Sequence, residues 1–216
     1  MIKLVIFDMD GLLIDSETVY AKGWKFGFNS LGLDLSMETI EKMAGQSTVQ
    51  NTNDVIEIVK SREKAMQIRS IREEYYFSML ENSKVLTMPF AKELIKILKY
   101  NNYKIAVASS SCRKRVLNTL KANNILDKFD NIVCGDDVAN EKPMPDVYLK
   151  TLENLKINAN EAIALEDSIT GLRSAMNAKI KVALVNKKPL KDDFDKKYFL
   201  GYYSNLEEAY NILFKK

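Results

Sequence analysis

Two aspartates stand out in the first dozen residues. Asp8-Met9-Asp10-Gly11 follows directly on the apolar run Ile2–Phe7, so two carboxylates two residues apart sit at the end of what reads as a buried strand. Ionised carboxylates in such a place lose hydration and repel each other. A divalent cation working on an oxyanion is the compensation that best suits them. A polar turn is the plainer account, because Asp and Gly are common in turns. Three later stretches carry the same kind of chemistry: Ser109-Ser110-Ser111, Gly135-Asp136-Asp137 leading to Lys142 in Glu-Lys-Pro-Met-Pro-Asp, and Glu166-Asp167-Ser168.

Each residue type has a use in phosphoryl transfer. A carboxylate can accept a phosphoryl group as an acyl phosphate, and Asp8 is the best placed to do so. A second carboxylate can protonate the leaving oxygen and then deprotonate the attacking water, and Asp10 has the right offset. Mg2+, a hard cation taking oxygen ligands, would neutralise nucleophile and phosphate together, with Glu166 and Asp167 offering further anionic ligands. Ser109 and the backbone amides near it suit phosphoryl oxygens at a helix N-terminus. Lys142 supplies a compact positive charge. Taken singly, the serines could cap a helix, Lys142 could be a solvated lysine, and Glu166-Asp167-Ser168 could be acids and a cap favoured by the helix dipole. Gly171 could serve only close helix–strand packing. The joint pattern, in this order and at successive strand ends, is what those accounts explain badly.

The elements that must position these groups are legible as an alternation. Ile2–Phe7, Lys104–Ser109, Asn131–Cys134, Ala162–Glu166 and Val182–Val185 are short apolar runs of parallel-strand length. Helical patterns over Phe90–Tyr100, Arg113–Asn123, Asp146–Leu155 and Ile169–Ala178 lie between or before them, the last opened by Ser168 as N-cap. Alternation of this kind predicts an α/β fold with a doubly wound parallel sheet, a Rossmann-like core. Residues 16–84 break the rhythm, with helical patterns around Val19–Leu31, Met37–Met43, Val49–Val59 and Glu63–Leu80. The expected organisation is a core of residues 1–15 and 85–216 and an inserted all-helical cap domain of 16–84 that acts as a lid.

Composition narrows the function. The chain has 216 residues, 46% hydrophobic and 28% charged, enough apolar material for a full core. A net charge of +3 gives no broad basic field for nucleic acid or an anionic membrane. Cys112 and Cys134 lack metal or redox spacing and suit reduced thiols in a cytoplasmic protein. No signal-peptide pattern opens the sequence, and no uncharged apolar stretch approaches membrane-spanning length. The absence of histidine removes Ser-His-Asp and Cys-His catalysis and most zinc sites. The expected partner is a small phosphorylated metabolite, and the expected state a monomer.

With these motifs in order, the chain resembles the haloacid dehalogenase superfamily, in its β-phosphoglucomutase-like phosphatase subgroup with a helical cap. Asp8-Met9-Asp10-Gly11-Leu12-Leu13-Ile14-Asp15-Ser16-Glu17 is similar to its first motif, Val107-Ala108-Ser109-Ser110 to the second, Lys142-Pro143-Met144-Pro145-Asp146 to the third and Leu165-Glu166-Asp167-Ser168 to the fourth. The resemblance implies Asp8 as nucleophile and Asp10 as acid–base group with its backbone carbonyl on Mg2+. It implies Ser109, Ser110 and Lys142 as phosphate binders, and Asp8, Asp10, Glu166 and Asp167 as the metal set. Asp10 argues against the dehalogenase branch, which lacks a second Asp. Tyr20 stands where β-phosphoglucomutase has a histidine, and Ala44 and Thr48, flanking Gly45-Gln46-Ser47, where it has Lys and Arg. No cap lysine, such as Lys22 or Lys42, stands out as the Schiff-base lysine of the phosphonatase branch. The expected activity is Mg2+-dependent phosphatase chemistry on small phosphorylated metabolites. A sugar phosphomutase and a non-catalytic phospho-ligand-binding regulator are the alternatives. Glu17, Tyr20, Trp24, Gln46, Ser47 and Tyr76 are the candidates for substrate choice, with Trp24 better suited to cap core than to a substrate platform.

Overall fold

The structure is a computed structural model and describes residues 1–41, 43, 48–186 and 194–215, with 48 and 49 by backbone alone. The chain divides into two compact units, Met1–Ile14 with Thr87–Lys216, and Asp15–Leu86.

The second unit is helical throughout its described residues: α1 Glu17–Ser30, α2 Met37–Glu41, α3 Thr48–Val59 and α4 Arg62–Glu81. Trp24, Phe28, Ile40, Met43, Val55, Ala65 and Ile68 form its core. Helix α1 can lie close against α4 because residue 27 is glycine: a Cβ there would sit 2.9 Å from the Ile68 carbonyl oxygen. Ser61 caps α4 by accepting from Lys64 N–H at 3.3 Å.

The first unit is a six-stranded sheet of β1 Leu4–Phe7, β2 Lys104–Ala108, β3 Asn131–Val133, β4 Ala162–Glu166, β5 Lys181–Val185 and β6 Phe199–Tyr203. All pairs are parallel, in the order β3-β2-β1-β4-β5-β6. Helices α5 Ala91–Tyr100, α6 Arg113–Ala122, α7 Asp146–Leu155, α8 Ile169–Asn177 and α9 Leu206–Leu213 complete it. One face of the sheet packs Leu4, Ile6, Ala106 and Ala164 against Val147, Tyr148 and Leu152 of α7 and Leu172 and Ala175 of α8. α5 and α9 meet each other as well as β2 and β5 respectively. Burial of both faces explains why the central strands read as continuous apolar runs rather than alternating ones. No helix among the described residues is long and apolar enough to cross a membrane.

This strand order puts the reversal of winding between β1 and β4, where open α/β sheets leave a crevice at the strands' carboxyl ends. Register brings the chemistry level there. Phe7 pairs with Val107 and with Leu165, and Asp8 N–H continues the ladder to the Leu165 carbonyl at 3.0 Å. The strands end one residue earlier than the apolar runs in two places, so Ser109 and Cys134 lie just beyond β2 and β3. β6 and α9 are additional to the elements expected from sequence. The strand Phe199-Leu200-Gly201-Tyr202-Tyr203 is a half-buried edge with a glycine at φ 138° in its middle, so it lacks the apolar run that marks the interior strands.

Candidate active site

The first motif is a tight turn built on β1. Leu13 and Ile14 both donate to the Met9 carbonyl at 3.0 Å, and Gly11 donates to Ile14 at 2.9 Å. Gly11 has φ 80°, a conformation that favours glycine, which explains the residue after Asp10.

Lys142 is the hinge of the site's electrostatics. Its Nζ donates to Asp8 Oδ1 at 2.7 Å, to Glu166 Oε1 at 2.6 Å and to the Ala108 carbonyl at 2.8 Å. All three ammonium protons are used, and the side chain is 4% exposed. The plainer reading as a solvated lysine therefore does not hold. Helix α8 pins the loop that carries it: Ser174 Oγ donates to Met144 O at 2.6 Å and Asn177 Nδ2 to Pro143 O at 3.0 Å. Against the effect of burial, the Asp8 and Glu166 carboxylates hold the ammonium well above its ordinary value. Asp8 moves the other way from a normal carboxylate. Burial pushes it up to about 8, Glu166 and Asp10 add to the rise, and Lys142 opposes it.

Glu166 is fully buried at the end of β4. Its Oε1 accepts from both Lys142 and the Tyr148 hydroxyl of α7, while Oε2 is buried with no hydrogen-bond partner among the described residues. Ser168 caps α8 by accepting from Gly171 N–H at 3.1 Å. The first turn of α8 then passes so close that a Cβ on Gly171 would lie 2.0 Å from Glu166 Oε2.

Asp8, Glu166 and Asp167 each present an oxygen within 4.8 Å of the others. Carboxylates gathered around one lysine, and a buried carboxylate oxygen lacking a donor, fit a hard divalent cation with oxygen ligands. Asp10 stands apart from this trio: its Oδ2 accepts from Ser111 Oγ at 2.6 Å.

The serine run is held as a unit. Ser109 is 1% exposed, and its Oγ accepts from Ser111 N–H at 3.0 Å. Ser110 is half-buried, and a Cβ at Gly135 would meet its carbonyl oxygen at 2.3 Å. The residue flanking α6 is Cys112, which makes no side-chain cap bond, so the serines are not there to cap that helix.

The candidates for substrate choice lie in the helical unit and fall into three groups. Trp24 belongs to that unit's core, as its type suggested. Tyr76 is fully buried and stacks on Tyr20 with ring centroids 4.9 Å apart. Glu17 opens α1 and is half-buried, as is Tyr20. Gln46 and Ser47 lie outside the described residues, as do Ala44 and Gly45. Sequence reasoning missed Arg72, whose guanidinium carbon lies 4.6 Å from the Trp24 ring centroid and 5.0 Å from that of Tyr20. In the sequence it is one charge among many on a polar helix. Tyr148 and Ser174 were missed too, because their roles depend on which face α7 and α8 turn to the sheet.

The sheet order and the carboxylate–lysine cluster at its crevice suit phosphoryl-transfer chemistry. The chain belongs to the haloacid dehalogenase-like hydrolase family, whose sequence profile matches residues 5–185. It is 30% identical over 206 residues to protein CbbY of Rhodobacter capsulatus, covering 89% of each chain. It is 26% identical over 183 residues to the phosphorylated carbohydrates phosphatase of Thermotoga maritima, covering 83% of this chain and 82% of that one. The crystal structure of β-phosphoglucomutase from Clostridium difficile superposes with a TM-score of 0.73 at 26% identity, covering 86% of this chain and 85% of that one. The family is one of hydrolases, and phosphatases stand among these relatives.

Proposed function

We propose that this chain is a Mg2+-dependent phosphatase of small phosphorylated metabolites, sugar phosphates above all, working through an aspartyl-phosphate on Asp8. The observation that carries the reading is the Asp8 carboxylate fixed through Oδ1 by a buried Lys142, with Glu166 and Asp167 beside it. Asp8 attacks phosphorus as the bond to the leaving oxygen breaks, and Asp10 gives that oxygen its proton. Asp10, now a carboxylate, takes a proton from water. The water oxygen attacks phosphorus, the bond to Asp8 breaks, and inorganic phosphate leaves. The Ser109 hydroxyl and the Ser110 amide hold the phosphoryl oxygens through both steps, and the charge of the Lys142 ammonium, whose protons serve Asp8, Glu166 and the Ala108 carbonyl, offsets theirs. Asp8, Glu166 and Asp167, with the Asp10 carbonyl, would hold the cation, which when bound neutralises charge on carboxylate and phosphate. Mg2+ suits a site of few carboxylates shared with substrate phosphate.

The relationship to the Thermotoga phosphorylated carbohydrates phosphatase supports the sugar-phosphate class. Substrate choice is assigned to Glu17 and Tyr20, with Gln46 and Ser47. The likeness to a β-phosphoglucomutase keeps a phosphomutase as the second reading, and the lack of any histidine counts against it.

The test is phosphate release from p-nitrophenyl phosphate and a panel of sugar phosphates, with and without Mg2+. Asp8→Asn is expected to lower turnover by at least ~10³. Activity of that variant within tenfold of the parent protein overturns the covalent route.

A further inference from the structure

Asp10 has a neighbour that the steps above do not use. Ser111 Oγ lies 2.6 Å from Asp10 Oδ2, and Arg115 Nη1, one turn along α6, lies 3.0 Å from the same Oγ. A guanidinium only donates. The Ser111 oxygen therefore accepts from Arg115, and its single proton is left for the carboxylate. A hydroxyl proton that would otherwise rotate to suit its surroundings is committed to Asp10. The backbone of Ser111 is tied as well. Its N–H donates to Ser109 Oγ at 3.0 Å, and its carbonyl accepts from Gly135 N–H at 2.9 Å. Gly135 is fixed in turn by its close approach to Ser110, and the next residue, Asp136, accepts from Arg113 N–H at 2.9 Å. Only the hydroxyl is left to respond to what Asp10 does.

We infer that Ser111 is a positioning residue for the acid–base step: its hydroxyl, oriented by Arg115, holds the Asp10 carboxyl group in the attitude from which it protonates the leaving oxygen. The inference rests on the acid–base role proposed for Asp10. It also gives the third serine of the run a task different from the phosphate binding proposed for Ser109.

The experiment compares kcat/KM for an alkyl phosphate, whose leaving oxygen needs a proton, with that for p-nitrophenyl phosphate, whose leaving group does not. Ser111→Ala is expected to lower the alkyl value by about 10- to 100-fold, the worth of a hydrogen bond to a charged group, and to leave the p-nitrophenyl value nearly unchanged. Ser111→Thr, which keeps the hydroxyl, is expected to recover most of the loss. Adding Ser111→Ala to Asp10→Asn is expected to cause no further loss. Equal losses on both substrates, or a full additional loss in the Asp10→Asn background, overturn the inference and make Ser111 a merely structural residue. Asp10→Asn lowering both substrates equally is a different result, and it overturns the reading of Asp10 itself. If Ser111→Ala does not fold, as judged by thermal unfolding, Arg115→Met carries the test. The same selective loss, smaller in size, is expected from it, and its absence overturns the inference.

Discussion

Burial sets the Asp8 carboxyl group apart from an ordinary carboxylate. Its ordinary value of 3.8 is raised to about 8, by burial first and by the neighbouring acids next. The sign follows from proton counting: between these values the folded state binds the proton and the unfolded state has lost it. The stability this contributes is fully present below pH 3.8 and is lost as pH rises through about 8. Urea midpoints in EDTA are therefore expected to fall from pH 5 to pH 8.5, and saturating Mg2+, if it binds as proposed, is expected to offset the same charge and flatten that decline. A midpoint that rises over this range in EDTA would place the charge elsewhere. Asp137 pulls the other way only in acid: its value is held low, against burial, by Arg113 and by Cys134 N–H, so its contribution is lost below the ordinary carboxylate range. At this scale the sequence marks residues that short motifs carry, and the structure brings Asp8, Lys142 and Glu166 together. Asp8, Asp10, Lys142 and Glu166 could be singled out because short motifs carry them. Tyr148 could not, since nothing in Asp146-Val147-Tyr148 says that its hydroxyl reaches Glu166.

Helix α8 does more for the site than any other element. Its cap residue follows Glu166-Asp167 directly, its third residue shapes the space around Glu166 Oε2, and its later turns hold the Lys142 loop through Ser174 and Asn177. Gly171→Ala separates two effects. Helix propensity alone would favour alanine by up to about 1 kcal/mol. A Cβ placed 2.0 Å from Glu166 Oε2 must displace that carboxylate. The expected outcome is a folded protein whose Mg2+ affinity, read by titration calorimetry, falls at least about tenfold. Unchanged affinity with a raised melting temperature would mean that the carboxylate has room to move. Elements with a strong apolar signature were readable to within a residue or two at their ends, as β4 and α7 show. β6 and α9 were not. An edge strand needs no continuous apolar run, and the glycine in the middle of β6 removes the one alternating pattern it had left.

The histidine-free composition and the buried lysine together set the expected behaviour of the entire molecule. A phosphomutase must shield its phospho-enzyme from water while a sugar hydroxyl attacks, and it needs cationic groups to hold a second phosphate. ³¹P NMR of β-glucose 1-phosphate with a bisphosphate primer is expected to show inorganic phosphate accumulating and no net formation of glucose 6-phosphate. Isomerisation outrunning phosphate release would reverse the assignment. The structure separates Asp15–Leu86 as a unit, and in the sequence residues 16–84 differ in rhythm from the rest, a pattern that helices packed on the sheet as a crossover could also give. Where the insertion joins the sheet unit, its ends meet. Met88 N–H donates to the Leu13 carbonyl at 2.8 Å and Ile14 bridges Thr87, so the chain returns beside the point where it left. To the sheet, everything from Asp15 to Leu86 amounts to one long hairpin loop, and closing a longer or shorter loop at the same junction changes the entropy only slowly with length. Heredity can therefore treat this stretch as a cassette. It can be lengthened, shortened or exchanged for another between Ile14 and Thr87, and the cluster of Asp8, Lys142 and Glu166 on the sheet unit is inherited intact.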